Sequence, residues 1–212
     1  NQAIHMLDNA YENIKQMTIF AHKYDGEGLL NTDWGDFGHF QHPELSMVGI
    51  IYGAAFSWNS DIPEKSAINA DISVIEYGDR SASLVEVISH MSNQAAVNWG
   101  EFIRILENCR YQVAEREVTD FWEKYDKQTE NARKQIESCN EAIRNDMAKV
   151  SALLVGVEEE KRKYIAPILH MAEGQILINT MFGVFKNVHD GQQNQCVDKK
   201  ALAEAFEIWY YE

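Results

Sequence analysis

The sequence is poor in proline, glycine and cysteine. Three prolines and twelve glycines in 212 residues argue against long flexible linkers, and 45% hydrophobic with 25% charged residues is typical of a globular protein. The three cysteines, Cys109, Cys139 and Cys196, are far apart and form no CxxC pair, which argues against a disulfide framework and a structural zinc site. Such cysteine usage fits a reducing compartment, and we predict a cytoplasmic location.

Basic residues are also scarce, with 19 Lys and Arg against 33 Asp and Glu, so that the net charge is −14. A surface this acidic repels nucleic-acid phosphates, and it argues equally against anionic membranes. The sequence contains no apolar run long enough to cross a bilayer and no signal-peptide pattern. It has neither a phosphate-binding glycine-rich loop nor a nucleophile elbow, and we predict no cofactor.

One stretch, residues 28–39, combines an apolar run, glycines, carboxylates and a tryptophan. The apolar run predicts a buried strand over residues 28–33, followed by a loop at its C-terminal end. Loops in this position carry the chemistry of many α/β enzymes. The stretch is therefore the first place to look for a site.

Helices are predicted on both sides of this strand. After it, Pro43 begins a helix over residues 44–58 that is apolar almost all round and should be buried on most sides. Gly49 and Gly53 would let a neighbour approach this helix closely. Before the strand, spacings of three and four predict one apolar helix face made of Ile4, Leu7, Tyr11, Ile14, Met17 and Ala21.

The rest of the chain is predicted to be helical. One long helix is expected from Ser81 to Leu106, and a heptad-like pattern extends from Val118 to Leu154. Pro167 kinks the next long helix or marks its first turn, and Asp198 caps a terminal helix. The long helices should form an antiparallel bundle in which the heptads pair within the chain, or alternatively the heptads form an intermolecular coiled coil.

Residues 28–39, followed by residues 49–58, resemble the end of the catalytic barrel in family 20 glycoside hydrolases, the β-N-acetylhexosaminidases. The similarity is greatest to the subgroup whose (β/α)₈ barrel is followed by a helical domain. It implies that residues 1–62 are the C-terminal end of a TIM-barrel catalytic domain and that residues 63–212 are the helical C-terminal domain. The expected fold is mostly α, with long antiparallel helices in a bundle preceded by an α-β-α fragment of a barrel.

The resemblance implies that Trp34 and Asp36 contact the substrate. In the family the last strand ends in a Trp followed two positions later by an acidic residue, usually Glu. An indole offers a flat apolar face to a pyranose ring, and a carboxylate makes strong hydrogen bonds to sugar hydroxyls. His39 is a further candidate for a polar contact. The structural alternative is that Trp34 plugs the core between the two domains and that Asp36 caps a turn.

No catalytic residue is assigned to this chain. The family's Asp-Glu pair lies on the fourth barrel strand, where the Glu is the general acid and the Asp orients the acetamido group that attacks the anomeric carbon. We therefore expect a fragment, itself inactive, of an exo-β-N-acetylhexosaminidase that hydrolyses terminal β-linked N-acetylglucosamine or N-acetylgalactosamine. The alternative is a stand-alone helical module that dimerises through the heptads. The expected partners are carbohydrate in the full-length enzyme and a second copy of the chain.

Two other patterns near the strand carry less weight. Asp33 and Asp36 could form an acid/base pair, but they lie on one short loop, whereas glycosidase carboxylates flank the scissile bond about 5–10 Å apart. His39 and His42 have the spacing of a zinc site, but the sequence supplies no clear third ligand. We predict no metal.

Overall fold

The computed structural model describes residues 3–34, 40–58, 63–108, 112–127, 132–191 and 198–211. Within these ranges the chain contains nine α-helices and no strand, so the mostly helical fold is confirmed. None of the described helices is both long and apolar enough to cross a membrane. The helices are α1 (Leu7–Lys23), α2 (Met47–Trp58), α3 (Lys65–Ile75), α4 (Leu84–Ser92), α5 (Trp99–Leu106), α6 (Glu115–Lys127), α7 (Ala132–Leu153), α8 (Ala166–His189) and α9 (Lys199–Tyr211), with short 3₁₀ turns at Pro43–Ser46 and Glu159–Tyr164.

The predicted strand over residues 28–33 does not form. Residues 28–34 are irregular, and residues 28–33 make no backbone–backbone hydrogen bond within the described chain. Leu30, which the prediction buried, is 85% exposed. A strand needs a neighbouring strand to complete its hydrogen-bond ladder, and the described residues contain none beside this segment. The prediction of a buried strand is therefore wrong for this chain on its own.

The helix before this segment buries a slightly different face from the one predicted. Leu7, Tyr11, Ile14 and Thr18 face the core, whereas Met17 is 49% exposed. A step of four residues from Ile14 keeps Thr18 on the buried stripe, because 3.6 residues complete a turn. The Thr18 hydroxyl is accommodated there by donating to the carbonyl oxygen of Ile14 at 2.9 Å.

Polar contacts connect the first two helices to the bundle. The Tyr52 hydroxyl donates to Asn69 Oδ1 at 2.5 Å, and the ammonium group of Lys65 binds the Asp8 carboxylate. These bonds cross the predicted boundary between residues 62 and 63. One continuous core of buried apolar side chains also includes residues on both sides of it. The division into two domains stays a prediction.

The long helix predicted from Ser81 to Leu106 is two helices, α4 and α5, so that prediction is wrong. α5 begins at the cap of Asn98, whose side chain accepts a hydrogen bond from the backbone N–H of Glu101 at 3.0 Å. The link between the two helices is fixed from α8, because the Asn179 side chain bonds the carbonyl of Gln94 and the N–H of Ala96 at 2.9 Å each. A side chain 83 residues away along the chain therefore stabilises the break.

The apolar residues of the heptad pattern pack against other helices of the same chain. It spans α6 and α7, and α7 packs against both α4 and α8. Its apolar positions Ile136, Ile143 and Val150 are buried in this contact. This agrees with pairing inside one chain, and it leaves that face of α7 covered without a second copy.

The last two helices begin as the sequence indicates. Pro167 lies in the first turn of α8 and does not kink the helix. The side chain of Asp198 accepts hydrogen bonds from the backbone N–H groups of Lys200 and Ala201, so the predicted cap of α9 is confirmed. α9 then packs back on α8.

Candidate functional site

A cleft of about 310 Å³ opens between α1, residues 31–34 and the start of α2. Its volume lies at the small end of the roughly 300–1,000 Å³ typical of ligand pockets, which suits one small ring. Most of the side chains around it carry hydrogen-bonding groups. The lining residues are Ile4, His5, Met6, Asn9, Ala10, Asn13, Ile14, Asn31, Thr32, Asp33, Trp34, Gln41, Ser46, Gly49 and Ile50.

Trp34 lies at the edge of this cleft with its side chain largely in solvent. The residue is 69% exposed, and its indole Nε1 donates to Thr32 Oγ1 at 3.0 Å. This hydrogen bond fixes one edge of the ring. Trp34 is therefore not a plug in the core of this chain. Asp33, immediately before it, contributes a carboxylate to the cleft wall.

Asn31 attaches the segment to α2. Its Nδ2 donates to the carbonyl oxygen of Gly49 at 3.0 Å. Gly53, one turn further along α2, has no side chain, and the Asn31 side chain occupies the space that a Cβ there would need. The predicted close approach to the Gly49 and Gly53 pair is therefore confirmed, and the neighbour that approaches is the segment carrying Trp34.

The opposite end of the cleft is a small polar cluster. Gln41 Nε2 lies 3.2 Å from His5 Nδ1 and 3.5 Å from the hydroxyl of Ser46. A Cβ at Gly49 would lie 3.2 Å from His5 Nε2, so this glycine also lets the imidazole approach α2. Neutral donors and acceptors dominate this part of the wall.

The α1 wall adds two further amides. Asn9 and Asn13 are four residues apart on the helix face that points away from the buried residues Leu7 and Tyr11. The apolar spacing of α1 predicts only its buried face, so it does not identify these two residues as part of a site. Polar residues spaced by four on the face opposite an apolar stripe, close to an aromatic loop, were the available signal.

The three predicted site residues are Trp34, Asp36 and His39. Trp34 lines the cleft, whereas Asp36 and His39 lie outside the described residues. The same holds for the Asp33–Asp36 and His39–His42 pairs, of which only Asp33 and His42 are described. His42 Nδ1 accepts the backbone N–H of Glu44 at 3.2 Å, which is a capping role.

Within the described ranges one group of possible metal ligands comes together, far along the chain from the cleft. It consists of Asp126, His189 and Asp190. The ammonium group of Lys186 lies 2.7 Å from Asp126 and 2.6 Å from Asp190. Burial alone would lower the pKa of Lys186, but its hydrogen bonds to the two carboxylates outweigh burial and raise it. Both carboxylates are thus already paired with one lysine ammonium, which occupies the place that a cation would take.

No protein-family model matches the chain, and no match was found among curated proteins or solved structures. The chemistry of the side chains that line the cleft is therefore what indicates the class of ligand. The cleft offers amides, hydroxyls, an imidazole, one carboxylate, an exposed indole and several apolar side chains, and no lysine or arginine is among the described residues that line it. Such a set suits a neutral ligand that has several hydroxyl or amide groups and an apolar face, and it does not suit an anion.

Proposed function

We propose that this chain supplies the sugar-contacting end of an exo-acting β-N-acetylhexosaminidase, with the helical bundle as the support of the barrel. The observation that carries the proposal is the cleft beside Trp34, which is about 310 Å³ and combines four amide and two hydroxyl side chains with an exposed indole and apolar side chains. Its size suits a single terminal sugar better than an extended chain, which agrees with exo-action.

The chemistry of an N-acetylhexosamine matches this cleft. One face of the pyranose ring carries C–H groups that can pack on the Trp34 indole, while hydroxyls and the acetamide exchange hydrogen bonds with neutral amides. Asp36, two positions after Trp34, would accept sugar hydroxyls in hydrogen bonds stronger than neutral ones. His39 would add a further polar contact.

The proposed reaction is hydrolysis of terminal β-linked N-acetylglucosamine or N-acetylgalactosamine with retention. In this assignment the general acid and the Asp that orients the acetamido group belong to another strand of the barrel. The chain contributes the binding surface for the sugar. Binding and turnover are then separable, because the 212-residue chain should bind the monosaccharide without cleaving a glycoside.

Saturation-transfer NMR with free N-acetylglucosamine tests the binding. We expect transfer to the ring protons with the wild-type chain and loss of most of it with Trp34→Ala, because the ring loses its apolar platform. Trp58→Ala is the matched control, since Trp58 is 88% exposed and lies outside the cleft. Equal transfer in wild type and Trp34→Ala would overturn the site, and so would equal transfer to glucose, which lacks the acetamide.

Activity assays test the assignment of the reaction. The 212-residue chain should release no nitrophenol from p-nitrophenyl N-acetyl-β-glucosaminide. In the full-length gene product, Trp34→Ala and Asp36→Ala should each lower kcat/KM by about tenfold or more. Asp36→Ala removes hydrogen bonds to a charged group, each worth roughly 1.5–3 kcal/mol, and Trp34→Ala removes the apolar platform for the ring. Full activity in both variants would remove these residues from the sugar subsite.

The second candidate, a helical interaction module, needs a different surface from the one that the sequence suggested. The heptad face is buried within the chain by α4 and α8. Several large apolar side chains near the N-terminus are nevertheless exposed. This exposure favours an interaction through the first two helices.

A further inference from the structure

A histidine on α4 and a carboxylate on α7 form a hydrogen-bonded pair where these two helices pack together. The Asp146 side chain is buried, with 1% of its surface exposed, whereas the His90 side chain is 58% exposed. His90 Nδ1 is bonded to one carboxylate oxygen of Asp146, and the ammonium group of Lys149 donates to the other at 2.7 Å. A buried carboxylate is thus covered by an imidazole and an ammonium group at the surface.

The hydrogen bond to Asp146 sets the tautomer of the His90 ring. A carboxylate only accepts hydrogen bonds, so the proton of the neutral imidazole lies on Nδ1 and the lone pair on Nε2. Within the part of the chain that the structure describes, Nε2 makes no hydrogen bond. His90 therefore presents a nucleophilic nitrogen to solvent, on a ring that is held by a carboxylate fixed in the core.

The pair is costly as a purely structural contact. Removing a carboxylate from water costs free energy that an ion pair recovers only in part, and apolar residues in such places are often equally stabilising. A partner that is itself exposed adds little to stability. The arrangement instead matches the one in which a buried carboxylate orients an imidazole and balances the positive charge that develops on it during a reaction.

Two common roles of such an imidazole do not fit this position. Within the described ranges, the one group of three or more possible metal ligands does not include His90. A general base for a small substrate needs a site that excludes water, whereas His90 is largely exposed and does not line the cleft. An exposed nucleophile suits a chemical group that another molecule delivers.

The surroundings of the ring can accommodate a phosphoryl group, although a chain of net charge −14 repels anions over most of its surface. Only two side chains that are helix neighbours of the pair carry a charge, Lys149 and Glu86, and Glu86 accepts a hydrogen bond from Asn69 at 2.8 Å. An ammonium group therefore lies beside the imidazole without an excess of acidic side chains around it. The neighbours three and four residues away are Glu86, Val87, Asn93 and Gln94 for His90, and Ala142, Ile143, Lys149 and Val150 for Asp146.

We propose that His90 accepts a phosphoryl group from an acyl phosphate, with Asp146 as the positioning residue. The lone pair of Nε2 attacks phosphorus, an N–P bond forms, and the bond between phosphorus and the acyl oxygen breaks, so the donor leaves as a carboxylate. Nδ1 keeps its proton throughout, and Asp146 balances the positive charge that the ring acquires. Lys149 is exposed enough to pair with the phosphoryl oxygens. This site is separate from the proposed sugar site and does not depend on it.

The class of donor follows from the sequence and from the leaving group. The sequence has no glycine-rich loop that would hold the phosphates of a nucleotide, so the phosphoryl group should arrive on a molecule that reacts with an imidazole directly. The carboxylate released from an acyl phosphate is a weak base and leaves readily. The alkoxide of an ordinary phosphate ester is a strong base and does not.

Incubation of the 212-residue chain with acetyl phosphate tests the proposal, with mass spectrometry and phosphorus NMR as readouts. We expect acid-labile, base-stable phosphate on His90 Nε2, formed at least about tenfold faster than on His22, because Asp146 orients and stabilises only the His90 ring. His22 is the matched control, since it is exposed on α1 and makes no hydrogen bond or ion pair to a carboxylate among the described contacts. His90→Gln should remove the fast labelling, and MgATP alone should label neither histidine.

Asp146→Asn separates positioning of the ring from support of the fold. The amide has the size of the carboxylate but no charge, and it no longer holds the proton on Nδ1. The labelling rate of His90 should fall more than about tenfold, as when the carboxylate of a catalytic triad is replaced by an amide. The preference for Nε2 over Nδ1 should also be lost, while the helix content measured by circular dichroism stays that of the wild type. A purely structural role of Asp146 would leave the ratio of the two isomers unchanged.

Several results would overturn the proposal. They are an absence of labelling, equal rates on His90 and His22, and an unchanged rate and isomer ratio in Asp146→Asn. Labelling of His90 by MgATP as fast as by acetyl phosphate would overturn the assigned class of donor. Neither His90 nor Asp146 lines the cleft, so none of these results bears on the proposed function.

Discussion

The side chain of Asn31 fills the space left by the missing Cβ of Gly53. The Cβ of Asn31 lies 3.1 Å from the position that a Cβ of residue 53 would take, and its amide nitrogen lies closer still. The amide also donates to the Gly49 carbonyl at 3.0 Å. Because Asn31 begins the segment that ends in Trp34, a glycine on α2 sets the position of the indole at the cleft.

Gly53 does not line the cleft, but Gly53→Ala should change the shape of the cleft by displacing Asn31. The added methyl overlaps the Asn31 amide, so the amide has to move and its hydrogen bond to Gly49 is lost. We expect a net loss of about 0.5–2 kcal/mol in the free energy of unfolding, because the cost of the overlap is partly offset by the roughly 1 kcal/mol that alanine gains over glycine inside a helix. Urea denaturation measures this loss, and Trp34 fluorescence should change because its segment shifts.

Two companion variants separate this mechanism from a general effect of replacing glycine. Gly28→Ala is the matched control, since a Cβ there meets nothing within 4 Å. Asn31→Ala combined with Gly53→Ala should recover part of the stability lost in Gly53→Ala, because most of the overlapping atoms are gone. A double variant no more stable than Gly53→Ala would rule out the Asn31 contact as the cause.

Asp79 makes the stability of the chain depend on acid pH. Its carboxylate accepts four hydrogen bonds, from the hydroxyl and N–H of Ser81 and from the N–H groups of Ser83 and Leu84 at the start of α4. Burial alone would raise the pKa of Asp79, but these bonds outweigh burial and lower it. A lowered pKa in the folded state means that the stabilisation is complete above the unfolded-state pKa of about 3.9 and disappears as pH falls through the folded-state pKa.

Asp79→Ala should lower the free energy of unfolding by about 1–2 kcal/mol at neutral pH, as expected for a lost helix cap. The difference from wild type should shrink as pH falls below about 4, because the wild-type carboxylate becomes protonated there. Denaturation series at several pH values measure this difference. Asp71→Ala removes an exposed carboxylate from α3 and is the control for charge alone. A difference that does not change with pH would exclude the carboxylate as its source.

Periodicity predicted the helices well where packing along one face determines the structure. The heptads of α6 and α7, the turn at Pro167 and the cap at Asp198 follow from local spacing and chemistry, and the structure contains them. The pair Gly49 and Gly53 also predicted a close neighbour. These features depend on residues near one another in sequence, so the sequence alone shows them.

Two predictions were wrong, the single helix from Ser81 to Leu106 and the strand over residues 28–33. Both depend on whether a partner distant in sequence is present. The break between α4 and α5 depends on Asn179, and nothing within residues 81–106 indicates that partner. Residues 28–33 have the composition of a strand, but the described chain supplies no neighbour to pair with them. In the candidate site, Trp34 was identifiable from its loop, whereas Asn9 and Asn13 became part of a cleft only when the segment folded back along α1.

Gly174 on α8, like Gly53 on α2, leaves room for a side chain from another part of the chain. A Cβ there would lie 2.6 Å from Cε2 of Trp209, whose indole N–H donates to the His170 carbonyl at 2.8 Å. Gly174→Ala should push α9 away from α8 and lower the free energy of unfolding by about 1–3 kcal/mol, because a rigid ring cannot yield as a flexible chain does. Thermal denaturation checks this. Gly156→Ala, where a Cβ would meet only ordinary contacts, should be nearly neutral.

Asn179 is the polar centre of the bundle and is fully buried. Its Oδ1 accepts hydrogen bonds from the N–H of Ala96 and from Gln175, and its Nδ2 donates to the carbonyl of Gln94 and to Asn140, at 2.9–3.0 Å. All four hydrogen-bonding positions of the amide are therefore used. Such a group stabilises one arrangement of the helices, because any other leaves buried partners unsatisfied.

Asn179→Leu keeps the number and branching of the side-chain heavy atoms but removes these four bonds. Each buried group left unsatisfied costs about 1–3 kcal/mol, so the free energy of unfolding should fall by at least about 3 kcal/mol. The backbone amide of Ala96 should also lose its protection from hydrogen exchange, since its acceptor is gone. Asn145→Leu makes the same change at an exposed position of α7 and should have little effect. If Ala96 stayed protected in Asn179→Leu, the break between α4 and α5 would have to be held by local contacts, and the role given to this distant side chain would be wrong.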